Sequence, residues 1–175
     1  MHNMVKTIGN ILVFSGCLIW GFIYAARFKD RTKELKELEI CISQLQNEMM
    51  YSYTLMPEIL INISKKTIYP INKIFKEIAN ILYKNEVNSV YEAFYIAFKN
   101  NDEILSLNKE DIKIVLDLSK ALGQSDLEGQ KKMIDLSLYN LKNQCRKAEE
   151  KMIKSVKMYR YLGFTIGATL VIIFI

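Results

Sequence analysis

Residues 7–26 form a run of twenty without a charge, opened by Lys6 and closed by Arg27, and residues 162–175 form a second uncharged run. Every Lys and Arg but Lys6 lies between the two. No water-soluble core of this size needs two such runs at its edges, so the sequence predicts a central domain held at a bilayer by both ends. Twenty helical residues rise about 30 Å, the thickness of the hydrocarbon core. The second run is shorter, about 21 Å over fourteen residues, and is expected to span with help from snorkelling Lys157 and Arg160 or from local thinning. The expected division is 7–26 as an N-terminal transmembrane helix, 27–160 as a cytoplasmic helical domain and 161–175 as a short C-terminal transmembrane segment. The first run exceeds a signal-peptide core and lacks a small-residue cleavage site, which makes it an anchor.

Charge supports that orientation. Without Lys6, 23 basic residues face 19 acidic ones, a net of +4 for the middle. Arg27, Lys29, Arg31, Lys33 and Lys36 follow the first run. Lys142, Arg146, Lys147, Lys151, Lys154, Lys157 and Arg160 precede the second. Basic residues flanking apolar runs fit the positive-inside rule and attraction to anionic headgroups. Nucleic-acid binding would want a basic stripe interleaved with exposed aromatic or amide side chains, and is not expected.

Between the runs the apolar spacing is helical throughout, and the expected fold is all-α. Leu35, Leu38, Ile42, Leu45, Met49, Ser52, Met56, Ile59 and Ile63 alternate steps of three and four, a heptad seam. Pro57 interrupts it, so a long first helix is expected to end near Thr54 and a shorter one to begin at Pro57. Pro70 opens a helix to about Lys84. Ser89 with Glu92 forms a capping box for a helix ending near Asn100. Asn108 caps another, with Glu110 and Asp111 in its first turn and Gly123 as its stop. A second capping box, Ser125 with Glu128, opens the last helix. Its seam is Leu127, Lys131, Ile134, Leu138, Leu141, Cys145, Ala148, Met152, Ser155, Tyr159 and Leu162, and it enters the second apolar run unbroken. The architecture expected is a membrane-anchored antiparallel helical bundle: two long helices continuous with the terminal transmembrane segments, plus three to four shorter ones. The seams serve that intrachain pair or a homodimer.

Material for catalysis is scarce. His2 is the only histidine, so no Ser-His pair or His-based acid and base can be assembled. There is no Gly-rich phosphate-binding loop. Glu34 and Glu150 read as solvated helix charges beside Lys33 and Lys154. Cys17, Cys41 and Cys145 match neither a zinc site nor a redox pair, and read as small buried apolar residues. Met49, Met56, Met133, Met152, Phe75, Phe94 and Phe98 read as packing. The expectation is a protein that is not an enzyme, with no cofactor, no metal and no small-molecule substrate. Tyr51 and Tyr53, flanking the seam near the helix break, are the candidates for a partner contact.

The run Leu45-Gln-Asn-Glu48-Met49-Met50-Tyr51, followed by Thr54-Leu-Met-Pro57-Glu58 and later by Leu122-Gly123-Gln-Ser125-Asp126 with Gln130, resembles the stage III sporulation protein AB family of endospore-forming bacteria. The likeness covers nearly the whole chain, with the N-terminal anchor and short apolar tail in place. That family looks like a one-domain relative of the F platform protein of type II secretion and type IV pilus machines. F proteins generally carry two such domains, so self-association into a homo-oligomer or a neighbouring protein would complete a platform here. The resemblance implies a place in the mother-cell membrane around the forespore, in a channel or secretion-like complex needed for spore development. A cytoplasmic ATPase and membrane ring proteins of the same complex are the implied partners. Glu48, Tyr51, Pro57, Gly123, Asp126 and Gln130 match the family's pattern. Of these, Pro57 and Gly123 read as helix punctuation, which leaves Glu48, Tyr51, Asp126 and Gln130 as the candidate partner-binding residues. Another reading keeps the fold and drops sporulation: an F-like inner-membrane component of general secretion or pilus assembly.

Overall fold

The computed structural model describes residues 2–51, 54–122 and 126–174. Side chains are described at 16, 26–51, 54–122, 126, 128–158, 161–162, 165 and 169. The described residues form six α-helices, one 3-10 turn and no strand. The helices are α1 (His2–Tyr51), α2 (Met56–Lys66), α3 (Ile71–Tyr83), α4 (Val90–Asn100), α5 (Lys109–Ala121) and α6 (Leu127–Phe174), with the 3-10 turn at Asp102–Ile104. The chain divides into two compact units: unit 1 holds Met1–Thr32 and Lys147–Ile175, and unit 2 holds Lys33–Arg146.

Unit 2 is built on the first seam. Leu35, Leu38, Ile42 and Leu45 lose all solvent contact, Ile59 and Ile63 nearly all, and Met49 and Met56 are half-buried. This burial occurs within one chain, so the stripe belongs to the intrachain core. Helices α2 to α5 pack in chain order, each on the next. On α3 the buried set Ile71, Ile74, Phe75, Ile78 and Ala79 follows helical spacing. Phe75 meets Phe94 of α4 edge to face, with centroids 6.2 Å apart.

Helix ends follow local chemistry. Pro57 lies in the first turn of α2, where its missing N–H costs nothing. Pro70 stands at the N-cap of α3, one position before the expected first turn. The Ser89 hydroxyl accepts from the Glu92 N–H at 3.2 Å, but the Glu92 carboxylate reaches back to the N–H of Asn88 rather than Ser89. Asn108 and Asp111 form a full reciprocal capping box at 2.9 and 3.0 Å, more than the simple cap expected. Gly123 and Ser125, the expected stop of α5 and cap of α6, lie outside the described residues, as do Ser52 and Tyr53. Asp126, expected in the first turn of α6, is its cap: its carboxylate accepts from the Gly129 N–H at 3.0 Å.

The two long helices run antiparallel in unit 2. The Gln46 amide of α1 donates to Asp135 of α6 at 2.6 Å. Nearer the start of the unit, Glu34 of α1 accepts from the Ser106 N–H just before α5, while Gln144 of α6 donates to Glu110 in the first turn of α5. Rising numbers on α1 thus meet falling numbers on α6.

In unit 1, Lys151 Nζ of α6 sits 5.7 Å from the Phe28 ring centroid of α1. Thr32, Ala148 and Ser155 are buried. Helix α6 continues through Gly163 and Gly167 without a break. The hydroxyls of Thr165 and Thr169 donate back to the carbonyls of Tyr161 and Thr165, four residues earlier, at 3.0 and 2.8 Å. Among the described residues no helix is long and apolar enough to cross a membrane. Most side chains of the two uncharged runs lie outside those residues.

Candidate partner-binding surface

The antiparallel register decides which candidate residues share a place. From the Gln46–Asp135 contact, five more residues carry α1 about 7.5 Å to Tyr51, and five fewer carry α6 the same distance to Gln130. Glu48 and Tyr51 in the last turns of α1 and Gln130 in the first turn of α6 therefore lie at one end of unit 2. Asp126 lies about one further turn out.

Their environments differ. Tyr51 is 88 % exposed, and Leu55, at the N-cap of α2, is 73 % exposed. Met50 is exposed beside them, so among the described residues this end of the unit presents three apolar side chains to solvent. Glu48 is half-buried, with Lys66 of α2 at 3.9 Å. Gln130 is also half-buried and belongs to the first turn of α6, its N–H bonded to the Asp126 carbonyl at 2.9 Å. Asp126 is exposed, and its carboxylate is engaged in capping. Tyr51 is thus the sequence candidate with the freest reach toward a partner, and Leu55 and Met50 are neighbours that the sequence reading did not single out.

Other polar residues proved more important to the architecture than the sequence suggested. Glu34, read as a solvated charge, is 5 % exposed and accepts from the Ser106 N–H at 2.8 Å. Glu37 accepts from the Ile68 N–H at 3.4 Å. The Glu77 carboxylate takes one bond from each of Asn100 and Asn101, at 2.9 and 2.7 Å. Each fastens a connecting segment to a helix distant in sequence, and no local pattern announces such a bond.

Cys41 and Cys145 are buried thiols. Burial, and secondarily the Glu37 carboxylate, push the Cys41 thiol up to about 12, which keeps it protonated and unreactive near neutrality. Among the described residues no group of three or more His, Cys, Asp or Glu side chains is placed to hold a metal ion.

Comparison with known proteins agrees with the resemblance drawn from the sequence. The family model described as stage III sporulation protein AB matches residues 6–175. The chain is 26 % identical over 170 residues to stage III sporulation protein AB of Bacillus subtilis (strain 168), covering 97 % of this chain and 99 % of that one. A solved structure of a stage III sporulation protein AB superposes with a TM-score of 0.66 at 25 % identity, covering 70 % of this chain and 96 % of the other. With the family model spanning nearly the whole chain, the chain belongs to the stage III sporulation protein AB family.

Proposed function

We propose that this protein is a non-catalytic, membrane-held platform in the complex that joins mother cell and forespore, and that unit 2 docks a cytoplasmic ATPase. The observation that carries the reading is the continuity of the two long helices. Both α1 and α6 leave the bundle and pass unbroken into the uncharged runs. Family membership supports the sporulation setting. The side-chain hydroxyls of Thr165 and Thr169, satisfied within α6, suit a segment that has no water to bond. On this reading unit 2 lies in the cytoplasm, and the exposed Met50, Tyr51 and Leu55 are its docking contact.

Photo-crosslinking in sporulating cells tests the docking claim. A photoreactive residue at Tyr51 or Leu55 is expected to capture the ATPase, whereas the same residue at Tyr95, exposed on α4, is not. Capture from Tyr95 alone, or from none of the three, contradicts the assigned surface.

A further inference from the structure

We infer that the basic residues of unit 1 form a collar that prefers acidic phospholipid headgroups to zwitterionic ones. The inference rests on the membrane-held reading and adds the chemistry of the surface on which the chain sits.

The net charge of +5 is segregated. Unit 2 carries fifteen basic and sixteen acidic residues, a net of −1; unit 1 carries nine basic and three acidic, a net of +6. All of the excess positive charge therefore lies in the unit that contains the uncharged runs. A charge distribution that served only solubility would have no reason to divide this way, because mixed signs spread over the surface achieve it. A nucleic-acid site on the bundle would need a basic excess that unit 2 lacks.

Placement along the helices fits a headgroup layer. Arg27 and Lys29 are exposed within about 5 Å of the end of the first run, at one and three residues beyond Ala26. On α6, the contact with the Phe28 ring sets Lys151 level with the basic positions of α1, and Lys154 and Lys157 follow about 4.5 and 9 Å further along the helix. The headgroup layer is roughly 5–8 Å deep on each side. Arg27, Lys29 and Lys151 fall within it, and the long side chains of Lys154 and Lys157 reach back to it by snorkelling. Lys147, Lys151 and Lys154 recur at i, i+4 and i+7, so they share one face of α6, and all are exposed. Lys151 stands over the Phe28 ring, next to Arg27 and Lys29, which brings the basic positions of the two helices side by side. The acidic residues interspersed here are Asp30, Glu149 and Glu150, too few to cancel them.

The single tryptophan, Trp20, lies six residues inside the first run and serves as the reporter. The full chain is reconstituted into bilayers in which either phosphatidylcholine or phosphatidylglycerol, at equal mole fraction, carries acyl-chain bromines that quench nearby indoles. Quenching by the brominated phosphatidylcholine reports insertion itself. The collar predicts that phosphatidylglycerol is retained beside the protein at least about threefold more than phosphatidylcholine. It also predicts that the ratio falls toward one in Lys151→Gln/Lys154→Gln/Lys157→Gln and, for the unaltered chain, in 0.5 M salt. Equal quenching by the two lipids overturns the collar and leaves the charges to set orientation alone. A preference undiminished by both the substitutions and the salt overturns it equally, because its source is then elsewhere. Absence of quenching by either lipid instead removes the membrane-held reading on which the collar stands.

Discussion

Asp126 combines an observed role with a proposed one, and a single substitution confuses the two. Its carboxylate caps α6 through the Gly129 N–H, and its exposure leaves it available at the end of unit 2 that carries the docking candidates. Asp126→Ala is expected to lower stability by about 1 kcal/mol, the usual worth of an N-cap, whereas Asp126→Asn keeps the cap and is expected to fall within about 0.5 kcal/mol of the unaltered chain. Unfolding of both variants in detergent checks the pair, and lost ATPase capture in the Asn variant alone would assign the charge to docking. Cys41 gives a pH-dependence of definite sign. Its folded value of about 12 lies above the 9.0 of an unhindered thiol. Between those values the folded chain keeps a proton that the unfolded chain has released, so stability is full below pH 9 and falls as pH rises toward 12. The unaltered chain is therefore expected to lose more stability between pH 8 and pH 10.5 than Cys41→Ala does. An identical loss in both would show that the thiol is not held in this way. Glu34 illustrates what residue-level reading misses. Beside Lys33 in the sequence it looks like half of a solvated pair, but its partner is the backbone of Ser106, 72 residues away.

The helices themselves were legible because their signals are local. Spacing of three and four marked the α1 seam, and its members Leu35, Leu38, Ile42 and Leu45 are fully buried. Ser89 and Asn108 cap the helices that their sequences announce. The failures are equally physical. Ser125 and Asp126 are adjacent residues of similar capping strength, so composition cannot choose between them. Lys131 continues the arithmetic of the α6 seam yet is exposed, because a straight helix drifts by about 20° per heptad from a strict seven-residue repeat. The candidate surface was only partly readable: Tyr51 was marked by its place near the helix break, whereas Leu55 joins it because α2 starts one residue later with its N-cap turned outward. Leu38→Ala is expected to cost about 2–5 kcal/mol, since it empties a fully buried site. Tyr139→Ala, on an exposed face of α6, is expected to stay within about 0.5 kcal/mol. Comparable losses for both would mean that the α6 outer face is covered by something in the folded protein.

At the scale of the whole molecule, one helical unit is nearly neutral, and the other is strongly basic and carries the two uncharged runs. That division suits a part with one unit for docking and another for the bilayer. A spacer and a platform differ in what their surfaces tolerate. Charge introduced at Tyr51 or Leu55 is expected to block spore development while leaving the fold intact, because neither side chain contributes to the core. If all such surface changes are harmless and only seam changes disable the protein, unit 2 is a spacer and its docking role is lost. The most direct test of the central claim is to follow a functional fluorescent fusion, inserted in the α3–α4 connection, through growth and sporulation. The account predicts signal only after sporulation begins, concentrated in the membrane that engulfs the forespore. Uniform membrane signal in growing cells, or diffuse signal at any stage, would contradict it.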